Sequence, residues 1–306
     1  MNFHSFRFIV PILCILSTEC VYAQTPNADA EIRAPYGDSE IVIKTTTRLA
    51  GAIHSLTWKN KEFINSTDHG RQLQSASNLD LNTRFSGESF NPTEAGSRAD
   101  GAGPTSTSQL LHLIAEGNTL QTTSQMAFWL RPGEKSGPNP AKNTTLLSNH
   151  LLTKRVTIGY RNFPNVIQYD VTFSLPINEF HTFAQFEAVT GYMPPEFSNF
   201  LTFNIETGQT SPLSDGPGEQ AHPIIFSTES GSHAMAIYSP GQPSPGFENA
   251  GYGRWNFRGQ EVVKWNSVFR IRNKDGVAAG DYAFQSFVIV GDLETVISTM
   301  QQLVAM

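Results

Sequence analysis

Apolar and polar residues alternate in short runs along most of this chain, and a period of two predicts β-strands. Glu40 to Thr47 reads EIVIKTTT, β-branched and alternating. Ala52 to Trp58 alternates less cleanly through Ile53, Leu56 and Trp58, turns at Lys59-Asn60-Lys61 and enters Phe63-Ile64. Runs of strand length follow at Gln109 to Ile114, Leu120 to Leu130, Leu151 to Tyr160 and Asn165 to Leu175. More come at Thr182 to Val189, Phe200 to Glu206, Pro223 to Thr228, His233 to Tyr238, Val262 to Arg272 and Tyr282 to Val290. Turn residues punctuate them, among them Arg131-Pro132-Gly133, Gly137-Pro138-Asn139-Pro140 and Asn273-Lys274-Asp275-Gly276. Near the end the period changes: Val296, Ile297, Met300, Leu303 and Val304 fall at helical spacing, with Asp292 as N-cap. The pattern predicts an all-β fold, a single large antiparallel sandwich over residues 24–306 with one C-terminal helix.

The first 23 residues read as an export signal: Arg7, a short apolar run from Phe8 to Leu16, then Val21-Tyr22-Ala23 as a small-residue cleavage site. That run is too short to anchor the chain in a bilayer, and no later run is long enough, so no membrane span is expected. A periplasmic or secreted protein follows. Residues 24 to about 31 are expected to be a loose mature N-terminus. Both cysteines, Cys14 and Cys20, lie within the signal, which removes disulfides, thiol nucleophiles and cysteine zinc sites from the mature chain. The net charge of −6 argues against a nucleic-acid partner.

Asn65 to Gly103 reads as a long Gly/Ser/Asn/Pro loop that gathers Asp68, His69, Arg71, Gln72, Gln74, Asn91, Glu94, Arg98 and Asp100. Only its middle, Leu73 to Leu81, could feed a core. Long loops in compact domains are often binding or catalytic. Carboxylate, imidazole, guanidinium and amide groups together suit a ligand covered in hydroxyls. Asp68, His69 and Arg71 sit directly after a short strand and could share a turn. Pro92 stiffens the loop that presents Glu94. The bland alternative is a solvated turn in each case.

Alternation in Phe180 to Glu187 places His181, Gln185 and Glu187 on one sheet face as a polar ladder. Tyr192, Trp255 and Trp265 are rings on which a sugar could stack, with Lys264 beside them. Glu219 lies in the acidic glycine-rich loop Asp215-Gly216-Pro217-Gly218-Glu219-Gln220. The candidate catalytic set is Asp68, His69, Glu94, His181, Glu187 and Glu219. The candidate binding set is Arg71, Gln72, Gln185, Tyr192, Trp255, Lys264 and Trp265. No G-x-S-x-G elbow, phosphate loop or dinucleotide loop occurs. The histidines are scattered singly, so neither a metal nor another cofactor is expected.

Ala50-Gly51-Ala52-Ile53-His54-Ser55-Leu56-Thr57-Trp58-Lys59-Asn60-Lys61-Glu62-Phe63-Ile64 resembles the opening hairpin of galactose-mutarotase-like proteins. The resemblance implies a supersandwich with a sugar in its groove, and Arg71 would match the arginine near that sugar. The Leu-His-Gly-Gly loop and His-x-Tyr-Phe stretch of true aldose epimerases are missing. The expectation is an exported carbohydrate-active enzyme that cleaves glycosidic bonds by acid–base chemistry, as hydrolase or lyase. A carbohydrate-binding protein and a mutarotase-type epimerase remain as alternatives.

Overall fold

The computed structural model describes residue 1 and residues 26–306; apart from Met1, the expected export signal lies outside the described residues. Two antiparallel sheets face each other. One, the groove sheet, runs in the order Gly218–Gln220, Tyr252–Phe257, Val262–Val277, His181–Met193, Leu73–Leu79. The other runs Gln109–Glu116, Thr119–Phe128, Leu147–Tyr160, Phe163–Leu175, Gly280–Gly291, Ala234–Tyr238, Ile224–Ser227, Asn199–Phe203. The short strand Pro92–Thr93 pairs with a strand of each and stitches the two together.

Between the layers Phe186 of the groove sheet meets Phe173, Tyr282 and Phe284 of the other at ring-centroid distances of 5.0, 5.1 and 5.3 Å. Burial of such rings is the main favourable contribution to a fold without disulfides. The predicted helix forms over Leu293–Val304, and Asp292 caps it by accepting the Thr295 N–H at 2.8 Å. Its buried face, Val296, Met300 and Leu303, packs outside the second sheet on Ala234, Ala236, Phe287 and Ile289. No helix among the described residues is long and apolar enough to cross a membrane.

Several expectations change. Residues 28–31 are docked, not loose: Thr45 Oγ1 donates to the Ala28 carbonyl at 2.6 Å, and strand Ala30–Tyr36 pairs with Ser39–Thr45. The hairpin after Trp58 closes through Lys59 and Asn60, both at positive φ, so that Lys61–Glu62 rather than Phe63-Ile64 is the return strand. The expected turn at residues 273–276 lies inside strand Val262–Val277 as a break in its pairing: Arg272 stands opposite Phe183 and Val277 opposite His181, and the Asp275 N–H donates to Asn273 Oδ1 at 3.1 Å. The largest change lies inside the supposed long loop. Leu73–Leu79, sequence LQSASNL, is a fully buried strand of the groove sheet. Its composition is poor for a strand, yet Ser75 on its inner face finds partners. Ser75 Oγ contacts Tyr169 Oη at 3.0 Å and donates to the Ala188 carbonyl at 2.7 Å.

Glu94 belongs to the same interior. It is 1% exposed, accepts the Ser75 N–H at 3.0 Å on Oε2 and pairs through Oε1 with fully buried Lys154 from the opposite sheet. Its carboxylate is spent on joining the layers, which removes it from the catalytic candidates. Truncating one partner strands the other charge. Glu94→Ala should therefore lose about 3–5 kcal/mol of stability in urea unfolding. A Glu94→Gln, Lys154→Met double variant, which keeps an acceptor for Ser75 and removes both charges, should regain most of it. Equal losses in both would contradict the ion-pair account.

Candidate functional site

The groove face of the first sheet is built by one irregularity. Strand His181–Met193 bulges between Glu187 and Val189. Alternation puts Gln185 and Glu187 outward, and the extra residue then shifts the period so that Thr190 and Tyr192 also face out. Without it Tyr192 would point the other way from Glu187. From the neighbouring strand Leu73–Leu79, Gln74, Ala76 and Asn78 face the same side. From Val262–Val277 come Lys264, Asn266 and Arg270. Of these, Gln74, Ala76, Asn78, Glu187, Thr190, Tyr192 and Lys264, together with Gly70, Glu88, Asn91, Thr93 and Trp129, line a cleft open to solvent.

Glu187 and Lys264 form the polar centre. Their side chains are 14% and 15% exposed, and Lys264 Nζ lies 3.4 Å from Glu187 Oε2, which also accepts the Thr190 hydroxyl at 2.8 Å. Burial pushes the Glu187 carboxyl up, but the Lys264 charge and the hydrogen bonds from Thr190 and Asn266 outweigh it and hold the group below its ordinary value. Burial likewise opposes the Lys264 charge, and Glu187 with Tyr192 outweighs it in turn, raising the ammonium. Burial raises the Tyr192 phenol, which stays neutral. The centre thus offers one fixed carboxylate acceptor, one fixed ammonium donor and one phenol.

Aromatic rings frame this centre. Lys264 Nζ sits 4.8 Å from the Trp255 ring centroid and 5.2 Å from that of Tyr192. Gly253 makes room, since a Cβ there would stand 2.4 Å from the Trp255 ring. Trp129 closes the opposite side against Gly70, where a Cβ would stand 2.7 Å from its ring. The amide oxygen of Gln74 is buried in the cleft without a partner among the described residues, while its Nε2 donates to the Gly70 carbonyl at 3.0 Å. A ligand donor is what that oxygen needs. Beyond Gln185, Arg270 Nε donates to Gln185 Oε1 at 3.1 Å, and its Nη2 donates to Glu219 Oε2 at 3.0 Å.

Five expected residues therefore meet on one face: Gln185, Glu187, Tyr192, Trp255 and Lys264. Glu219 extends the ladder, engaged by Arg270. The remaining candidates sit elsewhere. His69 is buried with Nδ1 2.7 Å from the Gly101 carbonyl and Nε2 2.8 Å from the Arg48 carbonyl, so no ring nitrogen is free to act as a base. Asp68 makes a turn, accepting the Gly70 N–H at 2.9 Å. Arg71 ties that turn to Gln260 at 2.7 Å and holds its head group on the rim rather than in the cleft. Gln72 is buried under the turn, donating to the Asp68 carbonyl. Trp265 points into the core, its Nε1 3.2 Å from Met193 Sδ. His181 leaves the ladder because the strand pairing shifts between His181 and Phe183, and its ring is buried. Nε2 of His181 lies 3.0 Å from Glu179. Burial raises the Glu179 carboxyl, but hydrogen bonds from His150 and His181 outweigh this and bring it down to about 2.

Asn78, Glu88, Trp129 and Arg270 were not singled out by pattern, and Gln74 only as part of the long loop. The alternation Gln74–Ala76–Asn78 was the available signal, hidden by its loop-like composition.

The ionised state of Glu187 depends on Lys264. In the native protein the Glu187 carboxyl should titrate below the ordinary value of about 4.3. In Lys264→Met, burial acts without its counter-charge, and the titration should move above that value. Carbon-13 NMR of the labelled carboxyl reads both; coincident titrations would break the assignment of the pair.

No family model matches the sequence, and no curated relative matches it. Solved structures are similar in fold. An α-mannosidase from Enterococcus faecalis V583 is 12% identical over 90% of this chain and 32% of its own, with a TM-score of 0.50. A protein in glycosyl hydrolase family 38 from Enterococcus faecalis is 10% identical over 90% of this chain and 33% of its own, at 0.52. A candidate aldose 1-epimerase from Escherichia coli K12 is 9% identical over 86% of this chain and 99% of its own, at 0.47. The chain spans about a third of the two longer proteins. At such identities only the fold is shared, an all-β sandwich like that within the two Enterococcus faecalis proteins.

Proposed function

We propose that this protein is exported, holds a poly- or oligosaccharide in the cleft of the groove sheet, and cleaves a glycosidic bond there by proton transfer at Glu187. The observation that carries the reading is the Glu187 carboxyl 3.4 Å from Lys264 Nζ in the cleft, with the Tyr192, Trp255 and Trp129 rings around them. Rings of this kind pack on the C–H faces of a sugar, and the surrounding amides Gln74, Asn78 and Asn91 suit its hydroxyls.

Hydrolysis fits better than elimination. Elimination from a uronate needs a cation free to neutralise the substrate carboxylate, and Lys264 and Arg270 are already paired with Glu187 and Glu219. Hydrolysis needs two carboxylates at the bond. Glu88 lines the same cleft as Glu187 and is the second candidate; Glu94 is closed in the core with Lys154, and Glu219 does not line the cleft. In this scheme Glu187 takes the proton of the attacking water and Glu88 supplies one to the leaving oxygen.

Non-catalytic sugar binding is the second reading, favoured by the mutual neutralisation of Glu187 and Lys264. One set of variants separates them. Under hydrolysis, Glu187→Gln should retain glycan binding within a few-fold while reducing-end release falls by about 10²–10⁴-fold, the usual contribution of a general acid–base group. Trp255→Ala should instead weaken binding. Glycan binding by the native protein with no reducing ends released would refute hydrolysis and leave the binding reading.

A further inference from the structure

The singly scattered histidines of the sequence do not stay apart. His150, from strand Leu147–Tyr160, and His181, at the start of strand His181–Met193, converge on Glu179 in the connection that precedes His181. Nε2 of His150 lies 2.7 Å and Nε2 of His181 3.0 Å from the same oxygen, Glu179 Oε2, and the three ligand atoms all fall within 4.8 Å of one another. None of these residues lines the sugar cleft.

We propose that His150, Glu179 and His181 form a binding site for a divalent transition metal of the zinc class. Two imidazoles and one carboxylate are a known zinc donor set, with bonds of about 2.0–2.2 Å and a fourth position left to water. Tetrahedral bonds of that length place ligand atoms roughly 3.3 Å apart. The observed 2.7 and 3.0 Å separations need to open by only a few tenths of an ångström.

The surroundings fit a held site. Phe90 packs against both imidazoles, with ring centroids 6.0 Å from His150 and 5.6 Å from His181, and Phe128 lies 6.5 Å from His150. Both histidine side chains are 2% exposed, while Glu179, at 17%, opens the cluster to solvent and gives an ion its way in. Behind His181, Asp80 Oδ1 lies 3.7 Å from Nδ1, the position of the carboxylate that orients a metal-bound histidine. Asp80 is itself fixed by the Thr182 N–H at 3.0 Å. Without metal, Nδ1 of His181 accepts the Leu81 N–H at 3.3 Å. With a metal at Nε2, the ring would carry its proton on Nδ1, which would donate to Asp80 and no longer accept the Leu81 N–H. The metal then clamps the connection bearing Glu179, whose flanking Ile177 and Phe180 are exposed, onto the sheet.

The test is titration of the chelator-treated full chain with Zn²⁺ alone by calorimetry, and with Co²⁺ followed by its visible absorption. One equivalent of zinc, cobalt bands of a low-coordinate nitrogen/oxygen site, and a zinc-dependent rise in Tm are expected. His150→Gln and Glu179→Gln should each weaken binding at least tenfold. Glu179→Gln keeps an oxygen that accepts from both imidazoles, so its metal-free Tm should stay near that of the native chain while the zinc-dependent rise disappears. It therefore carries the test even where a histidine variant fails to fold. No stoichiometric zinc binding, or binding unchanged in Glu179→Gln, would overturn the proposal and leave a hydrogen-bonded latch.

Discussion

The register of strand His181–Met193 between its two neighbours is the constraint on which the site depends. A one-residue slip in a β-pairing sends every side chain to the opposite face. Here the bulge after Glu187 uses that rule locally, so that residues on both sides of it, Glu187 with Thr190 and Tyr192, share one surface. The same strand turns Ala184, Phe186, Ala188 and Val189 into the core. Fold and site are thus two faces of one strand, and a variant that shifts its pairing loses both.

A second constraint is polar. The interior holds the Glu94–Lys154 pair with Ser75 and Tyr169 around it, and the groove holds Glu187–Lys264. The two pairs look alike in sequence terms but differ in what surrounds them. The first is closed on all sides and joins the sheets. The second keeps some exposure to the cleft, and its ring partners leave one side for a ligand. The environment, not the residue type, separates a carboxylate closed in the core from one left facing the cleft.

Much of the architecture was legible because it follows local periodicity. β-branched alternation located most strands, and Asp292 with a helical apolar spacing located the one α-helix of the described residues. The polar ladder of Gln185 and Glu187, with Tyr192, Trp255 and Lys264, was legible from alternation and ring chemistry. What stayed hidden depends on distant partners. Leu73–Leu79 reads as loop, and its Ser75 finds its partners only in Tyr169, Ala188 and Glu94. Glu94 is removed from chemistry by Lys154, and His69 by the Arg48 and Gly101 carbonyls. Nor could spacing reveal that His150 and His181 meet at Glu179.

The central claim is that sugar is bound by the groove sheet. The four tryptophans test it within one experiment, because Trp129 and Trp255 border the cleft while Trp58 and Trp265 are buried in the core. Nitrogen-15 NMR of their indole N–H signals during titration with neutral oligosaccharides reads all four at once. The account predicts that Trp129 and Trp255 shift with saturation while Trp58 and Trp265 stay still. Saturable binding that moves neither groove signal, or no binding by any oligosaccharide, would contradict it.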